Sequence, residues 1–316
     1  MERNLSEKNA RGDSFSHRLK KDIIKNKYIY LMLLPMVSAL IVFNILPMFG
    51  ALIAFKDYEI VKGVFGSEWV GFKWFKQFFN DPTFFRLLRN TLLLSFENLL
   101  FGFPMPIIFA LLINEINNKH FKKTVQTVTY LPHFISCVVV CSILTTFLGR
   151  EGVITHFLTN FGIEQTNLLS DPKNFRTIYI VSGIWQEIGW GSIVYLSALT
   201  AIDPQLYEAA TIDGAGKLRQ TMSITIPGII PTIIIMFILK IGHIMNLGYE
   251  KIMLLYSPLT YETADVISTY IYRIGIMEGT QFSYSSAIGL FNSVINLILI
   301  IFTNTISKKI SDTSLW

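Results

Sequence analysis

A short polar segment between two apolar runs carries the residue types best suited to a chemical role. Residues 208–216, EAATIDGAG, combine two carboxylates with two glycines and are followed by a lysine. Paired carboxylates can exchange protons, and glycines before a lysine can bind phosphate. A phosphate-binding loop needs the pattern G-x-x-x-x-G-K-[ST], but Thr211 replaces its first glycine and Leu218 its hydroxyl residue. The sequence therefore predicts that this chain does not hydrolyse ATP.

Other candidates for catalysis or metal binding also lack the required spacing. None of the five histidines stands in an H-E-x-x-H pattern, and no G-x-S-x-G occurs. Cys137 and Cys141 lie four apart in an apolar stretch, which indicates small buried side chains on one helix rather than a disulfide framework or a zinc site. We expect no enzymatic activity, and no metal or cofactor bound by this chain.

A cluster of aromatic and polar residues, WQEIGW, interrupts another apolar run. Its members are Trp185, Gln186, Glu187 and Trp190. Aromatic faces combined with amide and carboxylate groups suit a hydroxyl-rich ring, so the cluster is a candidate contact for a sugar-like solute. The alternative is a belt at the membrane interface, where tryptophan is enriched.

Three further polar residues lie in apolar runs, where polar groups are costly and often functional: His243, Asn246 and Asn292. They join the cluster as candidates for a solute pathway. The alternative for each is a hydrogen bond between neighbouring helices. The pattern leaves both interpretations open.

The elements that must position these residues are membrane-spanning helices. The chain has 316 residues, of which 51% are hydrophobic and 16% charged, against roughly 25% charged in an average soluble domain. A bilayer core needs roughly 20 apolar residues per helix. Six runs approach that length: Tyr28–Phe55, Asn90–Ile113, Thr129–Gly149, Thr177–Ala201, Gly228–Leu247 and Ala287–Ile306. They predict an all-α polytopic membrane protein, with a basic tail (1–27) followed by a transmembrane domain (28–316).

The distribution of Lys and Arg predicts the orientation. Fifteen lie in the tails and loops on the side of both termini, and eleven lie in the longer loops on the other side. Cytoplasmic loops carry the excess of Lys and Arg, so we expect both termini in the cytoplasm. The loop 202–227, which contains EAATIDGAG, then faces the cytoplasm. The positive charge is spread over loops and tails and does not indicate nucleic-acid binding.

Residues around EAATIDGAG predict a short helix with defined ends. Asp203 is a suitable N-cap, Pro204 suits the first helical position, and Gly214 can end the helix in the left-handed conformation. An isolated helix of about ten residues is marginal in water. Leu206, Ala209 and Ala210 share one face on which a partner surface could approach closely. We expect a docking helix joined as a stiff lever to the next span.

The spacing in this loop resembles a known signature. Glu208-Ala209-Ala210, Gly214, Ile224, Ile226 and Pro227 match EAA-x3-G-x9-I-x-L-P, with isoleucine at 226 in place of leucine. The signature is that of permease subunits of binding-protein-dependent ABC importers. The segments RNTLLLSFENLL, YLPHFIS and STYIYRIGI resemble the oligosaccharide and polysaccharide branch of that family. The likeness covers roughly residues 28–310.

The resemblance implies a role and a set of partners. Such a chain is one of two membrane subunits, usually in a heterodimer, in the bacterial cytoplasmic membrane. Separate cytoplasmic subunits that hydrolyse ATP dock on the EAA loop. The coupling residues are Glu208, Ala209, Ala210, Asp213, Gly214 and Pro227. An extracellular solute-binding protein delivers a carbohydrate. A stand-alone secondary transporter, a permease for a non-sugar solute and a membrane-embedded enzyme are the alternatives.

Overall fold

The computed structural model describes residues 21–162 and 164–310, and its regular structure is almost entirely helical. Of the predicted basic tail, only residues 21–27 fall within these ranges. The α-helices are Lys27–Leu40, Leu46–Met48, Gly63–Gly66, Lys73–Phe79, Phe84–Glu97, Pro104–Asn114, Lys119–Tyr130, Cys137–Leu148, Val153–Thr159, Pro172–Thr200, Pro204–Ile212, Lys217–Gln220, Ile226–Gly242, Tyr249–Leu255, Tyr261–Ala264, Ile267–Tyr272 and Phe282–Ile310.

Shorter irregular turns join several of these helices into longer rods. The π-helical turns are Ile41–Ile45, Asn98–Gly102, Thr221–Thr225 and Arg273–Met277. The 3-10 turns are Phe49–Phe55, Leu131–Phe134, Leu168–Ser170 and Pro258–Thr260. Two short strands, Lys56–Asp57 and Glu68–Trp69, pair antiparallel as a hairpin.

Five helical rods in the described part of the chain are long and apolar enough to cross a membrane. They are Lys27–Phe55, Phe84–Asn114, Cys137–Thr159, Lys217–Gly242 and Phe282–Lys308. The remaining predicted span, 177–201, falls in the helix Pro172–Thr200, whose 29 residues make it about 44 Å long. That helix is long enough but less apolar, since its middle carries Gln186 and Glu187 among glycines and serines. An all-α membrane protein is confirmed, and the fourth span, 177–201, remains a prediction.

Two predicted spans have different limits in the structure. The third, expected over 129–149, is interrupted because Pro132 lies in the 3-10 turn Leu131–Phe134 and Ser136 then caps a new helix by accepting from the Val139 amide. The fifth, expected over 228–247, begins at Lys217 and ends at Gly242. The segment after Gly242 leaves the helix because side chains from other helices hydrogen-bond its backbone.

The helix Pro172–Thr200 is the central element of the bundle. It packs along Pro104–Asn114 through Tyr195 and Leu199, and against Ile229 of the next rod. At Gly189 it approaches the Thr129 backbone so closely that a β-carbon would collide with the Thr129 carbonyl. A glycine is therefore required there for the two helices to meet.

Loops from remote parts of the sequence converge at the hairpin end of the bundle. The Asp81 carboxylate accepts hydrogen bonds from the hydroxyls of Thr83, Tyr270 and Tyr284. Burial of Asp81 raises its pKa, but these hydrogen bonds and that from the Thr83 amide outweigh burial, so its pKa lies below the ordinary value. Asp81 thus links three chain segments in its ionised form.

A second polar cluster holds the loop before Ile267–Tyr272. The side chain of Asp265 is fully buried and pairs with Arg273 through two contacts, of 2.7 and 3.1 Å. Arg86 lies 3.7 Å from the same carboxylate. Asn90 donates to the Asp265 carbonyl at 3.0 Å and to that of Glu262 at 2.9 Å. The cluster fastens this loop to the helix Phe84–Glu97.

Candidate functional site

The EAA segment forms a short helix with the predicted ends. The helix Pro204–Ile212, here called the loop helix, begins at Asp203, whose Oδ1 accepts from the Gln205 amide at 2.9 Å. Gly214 has φ 76°, the left-handed conformation expected of a glycine that ends a helix. Asp213 is the last residue before this turn. The local geometry thus follows from residues adjacent in the sequence.

Gln220, which the sequence did not single out, fastens the loop helix to the next rod. Its amide Nε2 donates to Thr211 Oγ1 at 2.9 Å and to the Ala215 carbonyl at 3.0 Å. Gln220 is only 8% exposed, so the two bonds are shielded from water. The hydroxyls of Tyr207 and Thr225 lie 3.0 Å apart and add a second link. The loop helix and the rod Lys217–Gly242 are therefore joined by side chains as well as by the chain.

The outer surface of the loop helix and of the first turn of the next rod is open and partly apolar. Ile212 is 86% exposed and Leu218 is 79% exposed, unusual values for large apolar side chains. Of the predicted approach face, Leu206 and Ala209 are exposed, whereas Ala210 is half-buried. This surface is available to a partner.

The remaining predicted coupling residues lie around this surface. Glu208 is exposed and makes no side-chain hydrogen bond or ion pair to another described residue. It lines a recess of about 770 Å³ together with Glu115 and Lys217, whose side chains pair at 3.3 Å. Pro227 stands in the first turn of Ile226–Gly242, where proline is tolerated.

Two adjoining cavities lie in the middle of the bundle, with volumes of about 260 and 270 Å³. They share four lining residues: Asn98, Tyr179, Lys240 and Gly248. The first also contacts Gln186, Glu187 and Lys251, and the second contacts His243 and Asn246. Four of the predicted pathway residues therefore lie on one connected recess.

The members of the WQEIGW cluster lie in different surroundings. Glu187 Oε2 lies 3.0 Å from His133 Nδ1, and the His133 ring stacks on Trp190 with ring centroids 4.6 Å apart. Gln186 donates to the Ile135 carbonyl at 3.2 Å. Neither Trp185 nor Trp190 lines the two cavities. The polar members face the recess, whereas Trp190 packs against the interrupted third helix.

The asparagines hold the chain where the fifth rod ends. Asn246 Oδ1 accepts from Asn292 Nδ2 at 2.9 Å and from Asn296 Nδ2 at 3.0 Å. Asn296 Oδ1 accepts from the Met245 amide at 3.1 Å, and Ser95 donates to the Ile244 carbonyl. Asn292 does not line either cavity, which favours the helix-to-helix alternative for this residue.

Lys251 is a cavity residue that the sequence analysis missed. It follows the break at 243–248 and lies in the short helix Tyr249–Leu255. Its sequence signal is a cation at the start of the run KIMLLY, in a segment that the apolar runs predict to be a loop. The break itself, which brings Lys251 to the cavity, depends on residues about 50 positions away.

Apolar rods around a polar recess, with an exposed helical loop attached to one rod, define the chain as a multi-pass transport protein of the membrane. It belongs to the family described as "Binding-protein-dependent transport system inner membrane component", whose model matches residues 102–312. This family consists of transport permeases rather than enzymes, and its members are inner-membrane components.

Relatives match nearly the whole chain. The polygalacturonan/rhamnogalacturonan transport system permease protein YteP of Bacillus subtilis is 46% identical over 95% of this chain and 93% of its own length. Protein LplB of the same organism is 46% identical over 97% of this chain and 95% of its own length.

A solved structure also matches. A chain of a bacterial alginate ABC transporter, crystallised in complex with alginate pentasaccharide-bound periplasmic protein, superposes with a TM-score of 0.87 and 45% identity. The match covers 94% of this chain and all of that chain.

Proposed function

We propose that this chain is a permease subunit of an ABC importer that moves a carbohydrate across the bacterial cytoplasmic membrane. Its relatives include a polygalacturonan/rhamnogalacturonan permease and a chain of an alginate importer. The full set of partners is a second homologous permease, cytoplasmic ATP-binding subunits and an extracellular solute-binding protein. The helix Pro172–Thr200 crosses the bilayer as the fourth of the six spans, and both termini lie in the cytoplasm.

One observation carries the coupling mechanism. The loop helix exposes Ile212, the first turn of the next rod exposes Leu218, and Gln220 fastens the loop helix to this rod, which reaches the cavity. An ATPase that binds Ile212 and Leu218 and moves on binding ATP would shift the loop helix and this rod together. Because Lys240, near the far end of the rod, lines the cavity, that movement would alter the cavity.

Co-purification with the neighbouring subunits tests the docking surface. Ile212→Asp and Leu218→Asp place charges in the proposed contact, so both variants should lose the ATPase in pull-down from detergent-solubilised membranes. Leu259→Asp, at an equally open apolar position on the hairpin end, should retain it. Retention of the ATPase by both loop variants would contradict the assignment of this surface.

Uptake in proteoliposomes separates the alternatives. The importer requires ATP and a loaded binding protein, whereas a stand-alone secondary transporter would move solute under an ion gradient without either. Uptake by the isolated chain under a sodium or proton gradient would therefore overturn the proposal. Uptake of amino acids or peptides but no sugar would support the non-sugar alternative.

A further inference from the structure

The middle of the bundle contains two lysines whose charges the described part of the chain does not neutralise by a direct ion pair. Lys240 lies in the last turn of Ile226–Gly242, and Lys251 lies in the next helix, across the break at 243–248. Both side chains line the same cavity of about 260 Å³. Within this chain Lys240 is exposed and Lys251 is half-buried, and a cation on a membrane-spanning rod that faces a cavity is a candidate functional group.

Neither lysine has an acidic partner within 4 Å among residues 21–162 and 164–310. The lone carboxylate among the cavity-lining residues is Glu187, which interacts with both lysines beyond ion-pair distance and is hydrogen-bonded to His133 at 3.0 Å. Lys251 Nζ donates to the Tyr179 carbonyl at 3.3 Å and lies 5.1 Å from the centre of the Tyr179 ring. An ammonium group has three donors, so most donors of the two lysines remain free for a ligand.

Helix electrostatics account for Lys240 but not for Lys251. A cation in the last turn of a helix is favourable, which fits Lys240, because the exposed carbonyls there carry partial negative charge. Lys251 stands in the first turn of Tyr249–Leu255, where the same effect disfavours a cation. Its position is therefore not explained by the helix that carries it.

The surroundings of the lysines match a sugar rather than a small inorganic anion. Gln186 and Asn98 supply amides, and Tyr179 supplies an aromatic ring beside the two ammonium groups. The two adjoining cavities together fall within the roughly 300–1,000 Å³ range of small-molecule sites. Amides and an aromatic face suit ring hydroxyls, and ammonium groups suit carboxylates.

We infer that Lys240 and Lys251 bind the carboxylates of an acidic sugar as it crosses the membrane, so that the cargo is a uronate-containing oligosaccharide. This inference rests on the proposed function and narrows its substrate class. Two cations held on separate helices can contact carboxylates of one residue or of neighbouring residues of the cargo. The hydroxyls of a neutral sugar could accept hydrogen bonds from the ammonium groups but would bring no opposite charge to either of them.

Direct binding to the purified full transporter tests the inference. The probes are trigalacturonate and its fully methyl-esterified form, which differ mainly in charge. Their affinities are measured by saturation-transfer NMR, which detects weak binding. We expect the wild type to prefer the acid about ten-fold, which corresponds to one good charged contact. Lys240→Gln and Lys251→Gln should each remove most of this preference, and Lys240→Arg and Lys251→Arg should keep it.

The matched control is a variant that lacks a lysine far from the cavity. Lys76→Gln removes an exposed charge at the hairpin end, so the preference for the acid should be unchanged. Equal binding of the two probes by the wild type, no binding of the acid, or an unchanged preference in both glutamine variants would overturn the inference. Equal binding is the expected outcome if a carboxylate of the second permease neutralises the lysines.

The proposed function is tested on the same samples by a separate readout. The presence of the ATPase subunits and sugar-dependent ATP turnover report on the importer. An intact importer without a charge preference contradicts only the role of the lysines. Absence of the ATPase subunits contradicts the importer itself.

Discussion

Gln220 offers the sharpest test of how the loop helix acts. Gln220→Ala removes the two hydrogen bonds that its amide donates, to Thr211 and to the Ala215 carbonyl. Each such bond contributes about 1 kcal/mol, so the attachment of the loop helix should weaken by about 2 kcal/mol, or roughly 30-fold in its equilibrium constant. The exposed docking surface is unchanged, so the ATPase should still bind.

The expected result is uncoupling rather than inactivity. Proteoliposomes containing Gln220→Ala should hydrolyse ATP but transport several-fold less sugar for each ATP consumed. Thr211→Val removes one of the two bonds and should give a smaller loss, of about 1 kcal/mol. Both quantities are measured together, as sugar taken up and phosphate released in the same vesicles.

Thr221→Val is the matched control for this experiment. The Thr221 hydroxyl donates to the Lys217 carbonyl within its own rod and makes no hydrogen bond to the loop helix. Its removal should leave the ratio of sugar to ATP unchanged. A wild-type ratio in Gln220→Ala would refute the view that this side chain transmits movement to the rod.

Three further predictions concern the bundle and its hairpin end. Gly189→Ala should destabilise the protein by about 1–3 kcal/mol, measured as thermal unfolding in detergent, because the new methyl group meets the Thr129 carbonyl. Arg273→Ala should lower the free energy of unfolding by about 3–5 kcal/mol, because it leaves the Asp265 carboxylate buried without its closest partner. Adding Asp265→Asn to that variant should partly restore the stability. The pKa of Asp81 is lowered in the folded protein, so its carboxylate stabilises the fold at neutral pH. This contribution should be lost as the pH falls below about 4, which a pH series of melting temperatures would show. The same loss should be absent from Asp81→Asn.

The sequence predicted what depends on neighbouring residues. The cap at Asp203 and the left-handed Gly214 were both foreseeable, because each involves groups within a few positions. The apolar runs likewise predicted most of the membrane-length helices, since their length follows from composition alone. Local propensity and hydropathy were sufficient for these elements.

Features that depend on remote residues were missed. The fifth rod ends at Gly242 in part because Asn296, about 50 residues later, hydrogen-bonds the Met245 amide. Nothing in the apolar run around residue 242 signals that interaction, so the span was extended to 247. The same break brings Lys251 into the cavity, whereas the apolar runs alone predict an outer loop at this position.

The asparagine contacts at the break also determine how the fifth rod can turn. Residues 243–248 are hydrogen-bonded to the last helix. The rod Lys217–Gly242, which precedes them, has 26 residues and is about 39 Å long. Rotation of that rod about its tied end by about 5° would displace the loop helix by about 3 Å. The end of the rod beside the cavity would move far less. A displacement of about 3 Å at the ATPase would therefore produce only a small displacement beside the solute.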